Sequence, residues 1–288
     1  MSFKVIASVS EAERHLRDVV ALAFHNGKLY TGADDGKIKI WSPDLKLISE
    51  FQAHSVNVYS LAVTDDTLYT CSNDGTIQAW NLSNNEPKKT LQNNPNIEVL
   101  RLHLANGKLY SGEDKGNVRV WENDEQVALY EMGEEIWDLL VHGDMLFTAR
   151  NLDINITEML PEKQNQFTSR GAVEGRSPIR LAGDKICFMS RCGRNVLLHE
   201  TTVESRFKQV AQMKAHEMIV NALCVSEEPQ LTIYSGGYDN TLKGWDAATQ
   251  KCTGSLDLGV CINALCSGPK GEIYVASANG HMVRVEAK

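Results

Sequence analysis

The 288-residue sequence has no apolar run approaching the roughly 20 residues that a membrane-spanning helix needs, and Met1 to Glu13 lacks the basic-then-apolar order of a secretory signal. Nor is there an excess of positive charge: Lys and Arg number 29 against 37 Asp and Glu, a formal net charge of -8. Nonspecific nucleic-acid binding rests on many Lys and Arg contacts, so this balance argues against a general phosphate-binding surface and leaves only a local basic patch open. The seven cysteines, at 71, 187, 192, 224, 252, 261 and 266, contain no CxxC pair and no zinc-ligand spacing. Most fall within or beside apolar strand patterns, where a free thiol packs as a small hydrophobe. Reduced thiols in a reducing compartment, cytoplasm or nucleus, are the simplest reading. With no metal or cofactor signature and hydrophobic residues at 42%, the chain has ample apolar content for the core of one large domain or two small ones.

Self-similarity decides the organisation. A strand-turn-strand phrase reads LYTGADDGKIKIW at residues 29–41, LYTCSNDGTIQAW at 68–80, LYSGEDKGNVRVW at 109–121 and IYSGGYDNTLKGW at 233–245. Three worn copies run over 146–158, 186–198 and 273–285. Subtracting successive starts gives spacings of 37 to 47 residues. An apolar residue seven positions before most starts, such as Leu22, Leu61 or Leu102, marks a preceding strand. A more polar strand candidate follows each phrase, as at Leu45 to Phe51 and Gln126 to Met132. Period-2 alternation with β-branched and aromatic residues makes each repeat four short antiparallel strands, and a period near 40 built this way is a propeller signature.

The copies resemble WD repeats over nearly the whole chain. The resemblance implies an all-β, seven-bladed propeller in one domain spanning 1–288. It also implies a hydrogen-bonded set of His, Ser or Thr, Asp and Trp in each complete blade. Three repeats supply all four members: His15, Thr31, Asp35 and Trp41; His54, Thr70, Asp74 and Trp80; and His216, Ser235, Asp239 and Trp245. A buried Asp needs donors, and imidazole, hydroxyl and indole N–H provide them. A catalytic Ser-His-Asp reading fails because one active site does not recur every 40 residues or so. In the third repeat Lys115 replaces the turn Asp, and the fourth, fifth and seventh lack the Trp, so those blades are expected to rely on apolar packing.

The last repeat reaches Lys288 with only its third strand, whereas the alternating segment at residues 3–9 precedes the first repeat. That segment is expected to supply the missing outer strand and close the ring, converting two edges into one ladder. The intervening SEAERH carries a capping-type Ser10 with Glu13 three residues on, and reads as a turn or a single helical turn in a loop.

In the family, the residue just inside each first strand points to the channel mouth. Carried over by position, these are Val20, Tyr59, Leu100, Trp137, Ser177, Asn221 and Asn263. Loops two positions earlier bring Asp18, Asn57, Glu98 and Glu135, and the turns between second and third strands bring Asp34, Asp114 and Tyr238. The aromatics Tyr59 and Trp137 beside five carboxylates suit a partner's Arg or Lys, which stacks on a ring while pairing with an acid. Residues 98–144 carry 11 acids and 4 bases, and residues 150–214 carry 7 acids and 11 bases, so an acidic sector adjoins a basic one.

The function expected from the resemblance is a non-enzymatic scaffold that binds a protein or peptide, basic in the leading case, with no cofactor and as part of a larger assembly. Two alternatives stay open. One is nucleic-acid binding through the arginines of the fifth sector. The other is a metal-dependent propeller hydrolase, against which stands the absence of a carboxylate at the first inner positions.

Overall fold

A computed structural model describes residues 2–287. Seven four-stranded antiparallel sheets are arranged around a channel, and each inner strand touches the inner strands of its two neighbours, so the ring is closed. The inner strands are Val19–His25, Val58–Val63, Val99–Ala105, Asp138–His142, Arg176–Ala182, Val220–Ser226 and Ile262–Ser267, in blades 1 to 7. Blade 7 takes its fourth strand from Phe3–Ser8, which pairs antiparallel with Met282–Ala287 in the register Phe3 to Ala287 and Val5 to Val285. Between this strand and blade 1, SEAERH forms a single 3-10 turn over Glu11–Glu13, with the Ser10 hydroxyl donating to Glu13 at 2.6 Å.

A lone four-stranded sheet is apolar on both faces and cannot bury itself, so stability comes from stacking. Seven apolar clusters result, each spanning two adjacent blades. Trp41 and Leu29 of blade 1 pack on Tyr274 and Met282 of blade 7, and Trp80 and Leu68 of blade 2 on Ile38 and Ile40 of blade 1. The Asp-Gly turns fix the spacing of neighbours. Gly36 and Gly75 have φ of +74° and +82°, and a Cβ there would fall 2.3 Å from the His54 carbonyl oxygen and 1.9 Å from that of Asn94. Only glycine tolerates both the left-handed backbone and that approach.

Two of the worn repeats are registered differently from the expected phrases. Where Leu29, Leu68, Leu109 and Ile233 face Trp41, Trp80, Trp121 and Trp245, Leu146 faces Thr157 and Ile186 faces His199. The turns between second and third strands cause this: only 151–152 separate the strands in blade 4, and 190–194 in blade 5. An ungapped alignment over 146–158 and 186–198 therefore misplaces each third strand by one residue. His199 occupies the tryptophan position, tilted against Phe188 with ring centroids 4.7 Å apart and held by the Phe207 carbonyl at 2.8 Å.

Candidate functional site: the upper face and its channel

The blade-to-blade loops and the turns between second and third strands share one face, called upper here. Beneath it, in blades 1, 2 and 6, lie the polar sets. In blade 1 the carboxylate of Asp35 can only accept, so the His15 Nδ1–H donates to it at 3.1 Å. The Thr31 hydroxyl lies 2.8 Å from His15 Nε2 and accepts the indole N–H of Trp41 at 3.0 Å. Blades 2 and 6 repeat this through His54, Thr70 and Trp80 and through His216, Ser235 and Trp245. They add hydroxyls two residues past the Asp: Thr76 donates to Asp74 at 2.5 Å and Thr241 to Asp239 at 2.8 Å. Burial pushes Asp74 and Asp239 up, but these hydroxyls, the imidazoles and the turn N–H groups outweigh it and hold both below the usual carboxylate range. Burial likewise lowers His54 and His216, against the pull of their Asp partners, which keeps both rings neutral.

Apolar packing alone does not hold the remaining blades, contrary to the expectation from their missing tryptophans and turn Asp. In blade 3 the Trp121 indole still donates to Ser111 at 3.0 Å, and the fully buried Glu113 accepts from Arg119 at 2.6 Å and Asn117 at 3.0 Å. In blade 4 Asp138, 2% exposed, joins three blades. Its Oδ2 accepts the Ile179 N–H and Arg180 Nη1, both at 2.9 Å, and its Oδ1 accepts the Leu139 N–H at 2.9 Å with Arg101 Nε 2.8 Å away. Burial raises Asp138, and the two guanidiniums and the Ile179 N–H reverse this, holding it below the usual carboxylate range. The signal for this cluster lies one column past the mouth residues. There Ala21, Ser60, Pro178, Ala222 and Ala264 are small or rigid, and only Arg101 and Asp138 are charged, side by side in the ring and opposite in sign.

The Arg101 guanidinium also acts on His103. Burial first, then the positive charge of Arg101, lowers that imidazole to about 4, with Asp138 raising it and Arg180 lowering it further. The folded state thus refuses a proton that the unfolded chain accepts near 6.5. This contribution to stability is complete above pH 6.5 and is lost as the pH falls through 6.5 toward 4. It amounts to on the order of 2 kcal/mol between pH 8 and pH 5. Thermal melts across that range should show the midpoint falling with acidity, and His103→Gln should flatten the dependence; an unchanged slope in the variant would refute the assignment.

All seven first-inner positions, Val20 through Asn263, line one cavity of about 280 Å³ at the channel mouth, together with Arg101, Asp138, Arg176 and Arg180. Trp137 does not plug it: the ring is 52% exposed. Leu100 is only 8% exposed and forms wall rather than contact surface. Tyr59 is half-buried against the cluster between blades 2 and 3. Asp18 is already engaged, accepting from the Asn279 N–H at 2.9 Å and from Asn263 Nδ2 at 3.3 Å. Asp114 accepts the Glu98 N–H at 2.9 Å and pairs with Lys115 at 2.8 Å. Burial, then the charges of Asp18 and Asp35, raises Asp34. Asn57 and Asn221 are half-buried, whereas Glu98, Glu135 and Tyr238 are exposed.

Sequence reasoning missed the apolar content of this face. Twelve large hydrophobic side chains are exposed among the described residues. Seven of them sit on upper loops: Leu16, Val56, Trp137, Leu152, Met218, Ile219 and Tyr238. Four of the other five lie on outer strands, so the upper face is where apolar surface meets solvent. The expected basic sector is largely neutralised, since Arg150 pairs with Glu134, Arg170 with Glu158, Arg180 with Asp138, and Arg191 with Asp153 and Glu174. Burial pushes the thiols of Cys187 and Cys266, packed at blade interfaces, up to about 12 and about 11, with Arg180 opposing it in each, so they are inert at neutral pH.

Seven four-stranded blades with recurrent His, Ser or Thr, Asp and Trp sets define a WD-repeat β-propeller. A family model described as the Vps42 beta-propeller matches residues 14–173, more than half of the chain, and one described as WD domain, G-beta repeat matches residues 207–246. The chain belongs to this β-propeller family, and its blades are WD repeats. The WD40 β-propeller domain of Doa1 superposes with a TM-score of 0.81 at 17% identity, over 99% of this chain and 97% of that one. Zinc finger CCCH domain-containing protein 17 of Oryza sativa subsp. japonica is 26% identical over 163 residues, 56% of this chain and 36% of that protein. Zinc finger CCCH domain-containing protein 62 of Arabidopsis thaliana is 30% identical over 168 residues, 57% of this chain and 39% of that protein. The chain spans less than two fifths of the length of these two relatives.

Proposed function

We propose that the protein is a non-enzymatic platform that presents its upper face to a protein partner. The concentration of exposed Trp137, Met218, Ile219 and Tyr238 on the upper-face loops carries this reading, because large apolar and aromatic side chains left in solvent on one face are the surface that association buries. Glu98 and Glu135 lie exposed on the loops leading to the Leu100 and Trp137 positions, and they fit a basic residue at the edge of the partner. The seven free cysteines, several of them buried in blade interfaces, fit a reducing compartment, cytoplasm or nucleus. Local neutralisation of the arginine-rich sector disfavours the nucleic-acid alternative.

Trp137→Ala and Tyr238→Ala test the reading cleanly, because both rings are more than half exposed and neither is part of a blade-interface cluster. Each should weaken the principal partner by about ten-fold or more, as measured by quantitative affinity purification, with an unchanged melting midpoint. Retention of the same partners at the same yield in the double variant would overturn the assignment of the face.

A further inference from the structure

The channel mouth carries a charge opposite to that of the chain as a whole. Three arginines and one aspartate line it, a net of two positive charges. Asp138 already accepts from two backbone N–H groups and from Arg180, with Arg101 Nε 2.8 Å from its Oδ1. The guanidiniums keep donors unused. Arg101 Nε is buried and donates to nothing, its N–H aimed away from the nearby carboxylate. Arg180 commits only Nη1 to described residues, at Asp138 and the Ile179 carbonyl. The Arg176 guanidinium reaches to Gly193 and makes no hydrogen bond or ion pair to the side chain or backbone of any described residue. Arg101 and Arg180 share Asp138 as their one carboxylate partner, and guanidinium charge held in a confined site favours a further anion. Three arginines lining one cavity with a single carboxylate among them form a place for an anion.

We propose that this cavity binds a phosphate group through Arg101, Arg176 and Arg180. A dianionic phosphate matches the net charge of the site, and its several oxygens can accept from more than one planar guanidinium at once, as a single carboxylate cannot. With liquid water at roughly 30 Å³ per molecule, the cavity of about 280 Å³ holds such a group with several waters and excludes a folded domain. The phosphate is therefore either a free small anion or the tip of a phosphorylated side chain. In the second case the exposed Trp137 flanks the entrance and contacts the residues beside the tip. The site does not depend on the protein-partner reading above, since it is tested on the isolated chain with small probes.

Isothermal titration of the full chain with inorganic pyrophosphate, and with a short peptide carrying one phosphoserine, should give saturable binding above a sodium chloride blank of equal ionic strength. The unphosphorylated peptide should give none. A tighter pyrophosphate complex identifies a free anion, and a tighter phosphopeptide complex identifies a modified side chain. Arg176→Ala should weaken binding by about ten-fold or more and Arg176→Glu should abolish it. Both variants should keep the wild-type melting midpoint, because Arg176 has no structural partner to lose. Arg17→Ala, an exposed upper-face arginine outside the cavity, should bind as wild type. Neither probe binding above the salt blank, or Arg176→Glu binding as tightly as wild type, would overturn the proposal.

Discussion

Deleting residues 1–8 is expected to lower the melting midpoint by on the order of 10 °C or more. Two losses combine. The first is the ladder of Phe3–Ser8 against Met282–Ala287, whose removal leaves the third strand of blade 7 as an open edge. The second is Phe3 itself, 8% exposed, whose ring lies 5.9 Å from that of Tyr234 and packs among Leu242, Ile262 and Val285 between blades 6 and 7. Truncating a buried phenylalanine alone costs about 3 to 5 kcal/mol. Phe3→Ala should therefore reproduce a large part of the deletion, whereas Lys4→Ala, exposed on the same strand, should change the midpoint by less than about 1 °C. A deletion that melts with the wild-type chain would show that this strand does not close the ring.

The reach of the sequence follows the same physics. Each complete blade carries an Asp that must be buried to form its tight turn, and that Asp demands His15, His54 or His216 some 20 residues upstream, so a local constraint leaves a periodic trace. Closure was legible too, because a blade short of one strand and an unassigned alternating segment at residues 3–9 have one economical solution. The blade 4 and 5 registers were not legible. Their turns shorten and lengthen where no Asp-Gly pair or tryptophan pins them, and His199 in place of an indole has no local signature. At the mouth, position alone brought Val20, Tyr59, Leu100, Trp137, Ser177, Asn221 and Asn263 around one cavity. What position could not give was the use of the charges behind it. Arg101, Asp138 and Arg180 stand 37 and 42 residues apart in sequence, and only ring geometry makes them neighbours. The acidic composition of residues 98–144 pointed outward to a basic ligand, whereas the cavity wall itself is cationic.

Asp138→Ala should be the most damaging single substitution in the channel, costing about 3 to 5 kcal/mol. The side chain contributes little apolar packing; its loss acts through what it leaves behind. Arg101 and Arg180 would keep their positive charges at the same depth, where burial and then the charge of Arg180 already lower Arg101 against the pull of Asp138, with no carboxylate between them. The Ile179 N–H, inside the inner strand of blade 5, would also lose its acceptor. Asp138→Asn separates these effects, because an amide oxygen can still accept the Ile179 N–H while the charge is gone, so its midpoint should fall between those of wild type and alanine. If the penalty is the unpaired charge, then Asp138→Leu combined with Arg101→Met should recover part of the stability, since it removes one of the two uncompensated guanidiniums and replaces a buried ion pair with apolar side chains. Denaturant melts of the three variants decide the matter. Equal losses for alanine and asparagine would assign the effect to neutralised charge alone, and a double variant no more stable than Asp138→Ala would show that Asp138 serves the fold through its backbone hydrogen bonds rather than through the arginines of its two neighbouring blades.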